Sequence, residues 1–290
     1  MDVIDEFQSV FRRAERPHFR YDRPSLRSVL LVTDRNRADA ARIRDLATAY
    51  CGTLSTCRWE FVVDEDYRKA AELLEIVRSA RPDLVVTYRY LDEHGLIPHH
   101  ALGVYVELLA QCSPAPVLLL PASGRTDFPV PSELPQCREV IVVTDYLTGD
   151  DRLVNYGAAL APDDGKLVLS HIEDSVTFRR YMRAVERIPD VPTEPLRQQL
   201  SQQLLHDAER YADSAAEALR GARPGLRVES VVRFGRSLRH YAELIAEYTA
   251  DLVVFNTQAE DQHAMSGLSY SMATEFSHVP LLLVTPPVED

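Results

Sequence analysis

Asp251–Val284 reads DLVVFNTQAEDQHAMSGLSYSMATEFSHVPLLLV: an apolar run, a polar loop with one glycine, a helix-length segment and a second apolar run. The same arrangement stands at Asp83–Pro121, DLVVTYRYLDEHGLIPHHALGVYVELLAQCSPAPVLLLP. Gly103 lies 13 positions before Pro116, and Gly267 lies 13 positions before Pro280. Apolar runs without polar alternation suit strands buried on both faces of a parallel sheet. In such sheets the loop after a strand's carboxyl end is where ligands usually sit.

Working outward, each copy has the same start. SVLLVT (28–33) ends at Asp34, and EVIVVT (139–144) ends at Asp145. Amphipathic periodicity predicts helices over 35–50, 66–80 and from about Gly103 in the first copy. In the second it predicts them through Leu153–Leu160, over 196–219 and over 238–248. Strands are expected within 54–63 and at 84–87, 117–120, 166–172, 226–234, 252–255 and 281–284. The two aspartates that bracket each copy are 49 positions apart in the first (Asp34 to Asp83) and 106 apart in the second (Asp145 to Asp251). The first copy is therefore a trimmed version, 57 residues shorter, or about one strand plus one long helix. Matching Phe61–Leu74 with Val231–Ile245 places the missing part before Phe61. The domain reading is an amphipathic extension at 1–27, a truncated domain at 28–121, a linker at 122–138 and a complete domain at 139–290. The linker rests on four prolines in PASGRTDFPVPSELPQCR (121–138). In the extension, Val3, Phe7, Val10 and Phe11 have helical spacing, which suits docking onto the chain's own core.

Strands alternating with helices require crossovers on both faces, so the fold class is α/β, with two doubly wound parallel sheets of Rossmann-like type. An apolar strand ending in Asp, a DLVV strand, and a helix leading into APVLLL or VPLLLV, in that order twice over, resemble the universal stress protein family. The resemblance spans nearly all of 28–121 and 139–286. It implies five-stranded sheets and association of domains through their last strands, here Val117–Leu120 and Leu281–Val284. In a tandem chain that gives an internal pseudo-dimer, with a homodimer of chains as a further expectation.

Members of that family that bind ATP resemble one another in a loop G-x-x-G-x(9)-G-[ST] after the fourth strand. Glycines let the backbone approach phosphate, and helix amides with a hydroxyl meet the anion. By that resemblance Asp34 and Asp145 would contact the nucleoside, and Gly235, Asn256, Gly267, Ser269 and Gly103 are the matching positions for the remaining contacts. Asp34 and Asp145 have an alternative use as caps of the following helices. The loops depart from the pattern. Asn256 and Ala259 replace the first two glycines, Leu268 replaces the hydroxyl residue with Ser269 one step on, and this loop is two residues short. In the first copy Tyr88, Leu91 and Val104 make the same replacements around Gly103, and the loop is two residues long. Asp92–Glu93 and Glu260–Asp261 put two carboxylates into each loop, where like charge costs an incoming triphosphate about 1 kcal/mol or more per close pair.

The expectation is therefore a regulatory, non-enzymatic module with a degenerate nucleotide pocket, acting through an unidentified protein partner and holding no cofactor. The alternative is an ATP binder, with Mg²⁺ and slow hydrolysis in the second domain. A net charge of −12 argues against nucleic acid or an anionic membrane as partner. No apolar run reaches the roughly 20 residues of a membrane span, and acids at Asp2, Asp5 and Glu6 argue against a signal peptide, so the cytoplasm is expected. Four cysteines without metal-like spacing read as reduced, packed thiols. His94, His99 and His100 read as a solvated loop rather than a metal site. Gly267–Ser271 lacks the final glycine of a nucleophile elbow, and Arg179, Arg180, Arg183 and Arg187 read as a solvated helix face.

Overall fold

The computed structural model describes residues 18–92, 101–123, 128–144, 151–189, 191–258 and 265–285. In the first half the order is β1 (Ser28–Val32), α1 (Arg37–Tyr50), a 3₁₀ turn (Gly52–Thr56), β2 (Arg58–Val62), α2 (Ala70–Ala80), β3 (Leu84–Tyr88), α3 (Val104–Cys112) and β4 (Val117–Leu120). The second half runs β5 (Glu139–Val143), α4 (Arg152–Leu160), β6 (Lys166–Asp174), α5 (Ser175–Val185), α6 (Thr193–Ala222), β7 (Arg227–Gly235), α7 (Ser237–Glu247), β8 (Leu252–Asn256), α8 (Gly267–Glu275) and β9 (Leu281–Val284). No helix among the described residues is long and apolar enough to cross a membrane.

All nine strands form one sheet in the order β2-β1-β3-β4-β9-β8-β5-β6-β7. Within each half every pairing is parallel. The direction reverses once, where β4 and β9 pair antiparallel with Val117 opposite Leu283, Leu118 opposite Leu282 and Leu119 opposite Leu281. Every residue of these two strands is buried. Side chains bridge the same joint: Gln258 Nε2 donates to the Gln111 carbonyl at 2.9 Å, and Thr285 Oγ1 to the Ser113 carbonyl at 2.9 Å.

The second half has five strands and the first has four. The extra material of the second is one strand with two helices, α5 and the 30-residue α6, where the sequence led us to expect one long helix. Sequence matching aligned β2 with β7, but in space β2 lies against β1, the place that β6 occupies against β5. The reason is hydrogen bonding. With one strand fewer, β2 must pair with β1 or leave the ladder groups of Val29–Val32 open. As an edge strand, β2 exposes Arg58 and Glu60, which pair at 3.2 Å, a charged edge that discourages pairing with another chain.

The repeated DLVV aspartates hold the two halves of the sheet at their strand starts. Asp83 Oδ2 accepts from the N–H groups of Arg27 and Ser28, both at 2.8 Å, and from Ser28 Oγ at 3.0 Å. Asp251 Oδ2 accepts from Arg138 N–H at 3.0 Å and Glu139 N–H at 2.9 Å. Asp83 thus joins the start of β3 to the start of β1, and Asp251 joins the start of β8 to the start of β5.

Three irregular segments tie the halves together. Residues 128–138 are packed rather than extended as a free linker: Val130 and Cys137 are buried, and Phe128 lies under the Arg42 guanidinium at 4.1 Å. Tyr50 at the end of α1 donates to the Asp251 carbonyl at 2.7 Å, and Thr53 Oγ1 to the Ala159 carbonyl at 3.1 Å. Before β1, the chain crosses the second half. Phe19 N–H donates to Ser214 Oγ at 3.0 Å, its ring meets Tyr211 edge-on at 6.1 Å, and Arg20 N–H donates to Asp151 Oδ2 at 2.8 Å. The amphipathic spacing over Val3–Phe11 lies outside the described residues.

Burial raises the Asp83 carboxyl, but the donors on Arg27 and Ser28 outweigh it and hold it below the ordinary range. Its contribution is present above the unfolded carboxylate's pKa and is lost as pH falls through the lower, folded value. Asp83→Ala is expected to cost about 1–3 kcal/mol in urea unfolding at pH 7. The gap from wild type should close in acid, and a gap that is constant with pH would rule out the carboxylate as its source.

Candidate functional site

The carboxyl ends of β1 and β3 form the switch point of the first half, because β1 has β2 on one side and β3 on the other. Asp34 stands there, as the sequence placed it, but it does not cap α1. That task falls to Asn36, whose Oδ1 accepts from Ala38 N–H at 2.9 Å and Asp39 N–H at 3.0 Å. Asp34 instead accepts a short hydrogen bond from the Tyr88 hydroxyl. The Tyr88 oxygen also takes the Asp34 N–H at 3.2 Å and pairs with Thr33 Oγ1 at 2.7 Å. Tyr88 is 1% exposed, so a fixed phenol spans the strand ends at the position where the family loop has its first glycine. Burial, and then the charge of Asp34, push its hydroxyl well above the usual tyrosine range, so it stays a donor.

The rest of this end is filled by more apolar and aromatic volume. Leu91, at the second glycine position, and Leu102 are fully buried. Tyr67 packs on Tyr105 with ring centroids 5.6 Å apart, and Tyr105 donates to the Arg68 carbonyl at 3.3 Å. Tyr67 is also buried, yet its hydroxyl meets no partner among the described residues. Gly103 has φ of 89°, a left-handed value that other residues rarely adopt, so the glycine is kept for the turn into α3. Arg89, which follows Tyr88, is 3% exposed and donates from Nη2 to the Phe276 carbonyl across the joint at 3.0 Å. Burial draws its pKa down to about 10, which leaves it cationic at neutral pH. A phenol and two leucines thus fill this strand end.

In the second half, β5 and β8 make the equivalent switch point. Asp145 and residues 259–264 lie outside the described residues. Asn256 ends β8, and its carbonyl accepts from Ser269 Oγ at 2.6 Å. Ser266, which sequence reasoning passed over, is the cap of α8: its Oγ accepts from Ser269 N–H at 3.1 Å and lies 2.8 Å from Ser269 Oγ. The signal was legible, a serine one residue before the helix. Ser269 therefore ties the helix start back to the strand end, and it is buried. Gly267 has open space around it and no positive φ, so nothing in its surroundings demands glycine.

Gly235 has a structural use. A Cβ there would lie 2.4 Å from His240 Nδ1. That nitrogen accepts from Arg236 N–H at 2.8 Å at the start of α7. Ser269 follows β8, whereas His278 precedes β9, at the opposite ends of two parallel strands; they do not form a catalytic pair. Arg179, Arg180, Arg183 and Arg187 are exposed, on or just after α5. His94, His99 and His100 lie outside the described residues, and among those described no cluster of His, Cys, Asp and Glu could hold a metal ion. Among the described residues, surface hollows lie away from the strand ends that form the switch points. One of about 630 Å³ lies between Arg138, Asp251 and His278, and one of about 400 Å³ lies between Arg42, Phe128 and Val130.

The architecture defines a class: paired doubly wound α/β units sharing one sheet through their last strands. No protein-family model matches the sequence, and no curated protein matches it. Solved structures do. A universal stress protein from Archaeoglobus fulgidus superposes with a TM-score of 0.52 at 12% identity, over 91% of this chain and 97% of that one. A putative universal stress protein from Pseudomonas aeruginosa gives 0.48 at 14% identity, over 91% and 95%. The fold is that of a tandem universal stress protein.

Two tyrosine hydroxyls at one strand end make a paired test. Tyr88→Phe removes three hydrogen-bond contacts, to Thr33 Oγ1, the Asp34 carboxylate and the Asp34 N–H, with an expected cost of about 1–3 kcal/mol. Tyr67→Phe removes a buried hydroxyl without a partner and is expected to be neutral or to stabilise by about 1 kcal/mol. Thermal unfolding of both variants checks the contrast, and equal losses would refute it.

Proposed function

We propose that this chain is a universal stress protein in which the first switch point has been turned from a ligand site into packing, and that it works as a regulatory, non-enzymatic module through contacts with other proteins. The observation that carries this reading is the Tyr88 hydroxyl set between Thr33 and Asp34 at the place of the family's first glycine. In the second half, the engagement of Ser269 with Asn256 and Ser266 supports the same reading, since the hydroxyl that would meet a phosphate already has partners. The acids Glu260 and Asp261 in the sequence of that loop add like charge near an incoming triphosphate. A second reading, ATP binding with Mg²⁺ by the second half, is favoured by one observation: the space around Gly267 is open. In that reading Asp145, Asn256 and the amides at the start of α8 would hold the nucleotide.

Denaturing the purified protein and assaying released nucleotide by mass spectrometry separates the two, together with a thermal-shift titration of ATP and Mg²⁺. The proposal expects no stoichiometric nucleotide and no shift at millimolar ATP. About one nucleotide per chain would overturn it. Replacing Glu260 with Gly and Asp261 with Ser is expected to raise ATP affinity by roughly tenfold if repulsion is the obstacle. An unchanged affinity would assign the obstacle to loop length and to Ser269.

A further inference from the structure

Two of the four thiols meet where the halves join. Cys51 closes α1, and Cys137 stands two residues before β5. Cys137 N–H donates to the carbonyl of Tyr50 at 2.9 Å, so the two cysteines occupy neighbouring backbone positions although they are far apart in sequence. Each is 2% exposed, and each thiol acts electrostatically on the other. The Cys51 thiol also donates to the Leu160 carbonyl at 3.4 Å, at the end of α4. The other two thiols are engaged elsewhere: Cys57 points to the carbonyls of Leu26 and Thr53, and Cys112 lies on α3.

We propose that Cys51 and Cys137 form a dithiol that hydrogen peroxide oxidises to a disulfide, stapling the first half to the start of the second half's sheet. A disulfide needs Cα atoms about 4.4–6.8 Å apart, a span compatible with the bond from Cys137 N–H to the Tyr50 carbonyl, and rotation about the Cα–Cβ bonds then sets the sulfurs. The two sulfurs are not equivalent. The hydrogen bond from Cys137 lowers the Cys51 thiol's pKa, burial opposes this, and the amides of Thr53 and Leu54 assist. The same contact, and then burial, push Cys137 up. Cys51 is thus the attacking thiolate and Cys137 the resolving thiol.

In the first step the Cys51 sulfur bonds to one peroxide oxygen, the O–O bond breaks, and the departing hydroxide takes up the thiol proton as water. The product is a sulfenic acid. In the second step the Cys137 sulfur attacks Cys51, the S–O bond breaks, and the sulfenic hydroxyl leaves with the Cys137 proton as a second water. Two thiols lose two electrons, and one peroxide gains them.

Access is by way of residues 134–138, which form neither helix nor strand. Gln136 and Arg138, the neighbours of Cys137, line the open hollow of about 630 Å³ beside Asp251. Irregular segments of this kind open locally more readily than the sheet does, and peroxide is little larger than water. The inference does not depend on whether a nucleotide binds.

The test is peptide mapping of the whole wild-type chain after peroxide treatment, catalase quenching and alkylation in denaturant with iodoacetamide. The expected result is alkylation of Cys57 and Cys112 only, with a Cys51–Cys137 cross-linked peptide that dithiothreitol releases. The oxidised protein should melt about 5 °C or more above the reduced one. Cys51→Ser and Cys137→Ser should each abolish the cross-link, and should one of them not fold, the wild-type map still decides. Four alkylated thiols after peroxide, a cross-link through Cys57 or Cys112, or Cys51 as sulfinic acid beside a free Cys137 would overturn the proposal. A cross-link without the rise in melting temperature would overturn the staple.

Discussion

The antiparallel pairing of β4 with β9 is the constraint on which the rest of the molecule depends. Each half alone would end its sheet in a strand of four apolar residues with open backbone groups on one side, a template for aggregation. Pairing VLLL with LLLV satisfies both edges at once and buries every side chain on them. Because the pairing is antiparallel, the carboxyl end of the first half's inner strands meets the amino end of the second half's. That is why Arg89, just beyond β3, can reach the carbonyl of Phe276, just before β9.

With the inner edges closed, the outer ones carry the asymmetry. β7 pairs with β6 over nine residues and is backed by the long α6. Among the described residues, β2 has neither an outer neighbour nor the counterpart of α5 and α6. It is short, charged at alternate positions, and anchored through its hydrogen bonds to β1. The trimmed half therefore relies on contacts outside its own sheet: the packed segment 128–138 against α1, and the ties from Tyr50, Cys51 and Thr53 into the second half.

What could be read from the sequence followed from periodicity. Runs such as LVVTY and VLLL, apolar at every position, announced central strands, and the repeated order of strand ends announced the fold. The rest depended on partners distant in the chain. The duplication showed that a strand was missing but not which place in the sheet the survivor would take, since β2 resembles β7 in its sequence neighbours and β6 in its pairing. The helix over Ser175–Val185 was legible only as a solvated arginine face and not as a separate packed element, because only Met182 along it is buried. At the candidate site, the loss of glycines was visible. That Tyr88 would turn inward to bond Thr33 and Asp34, or that Ser266 would claim Ser269, was not, because a hydroxyl's partner has no signature in a single chain.

Side chains at the first switch point carry structural tasks, and this bears on what could enter it. Tyr88 bonds the end of β1, while its neighbour Arg89 is a buried cation held by the carbonyl that ends α8, with no carboxylate partner among the described residues. A carbonyl at a helix carboxyl terminus carries partial negative charge, which suits a guanidinium there, but a buried cation still loses hydration that one carbonyl only partly replaces. A ligand entering the first switch point would have to displace the phenol, and the backbone shift this requires would also pull on Arg89 and thus on the joint. Filling the strand end and holding the halves together fall to consecutive residues, so whatever disturbs the first switch point also disturbs the interface.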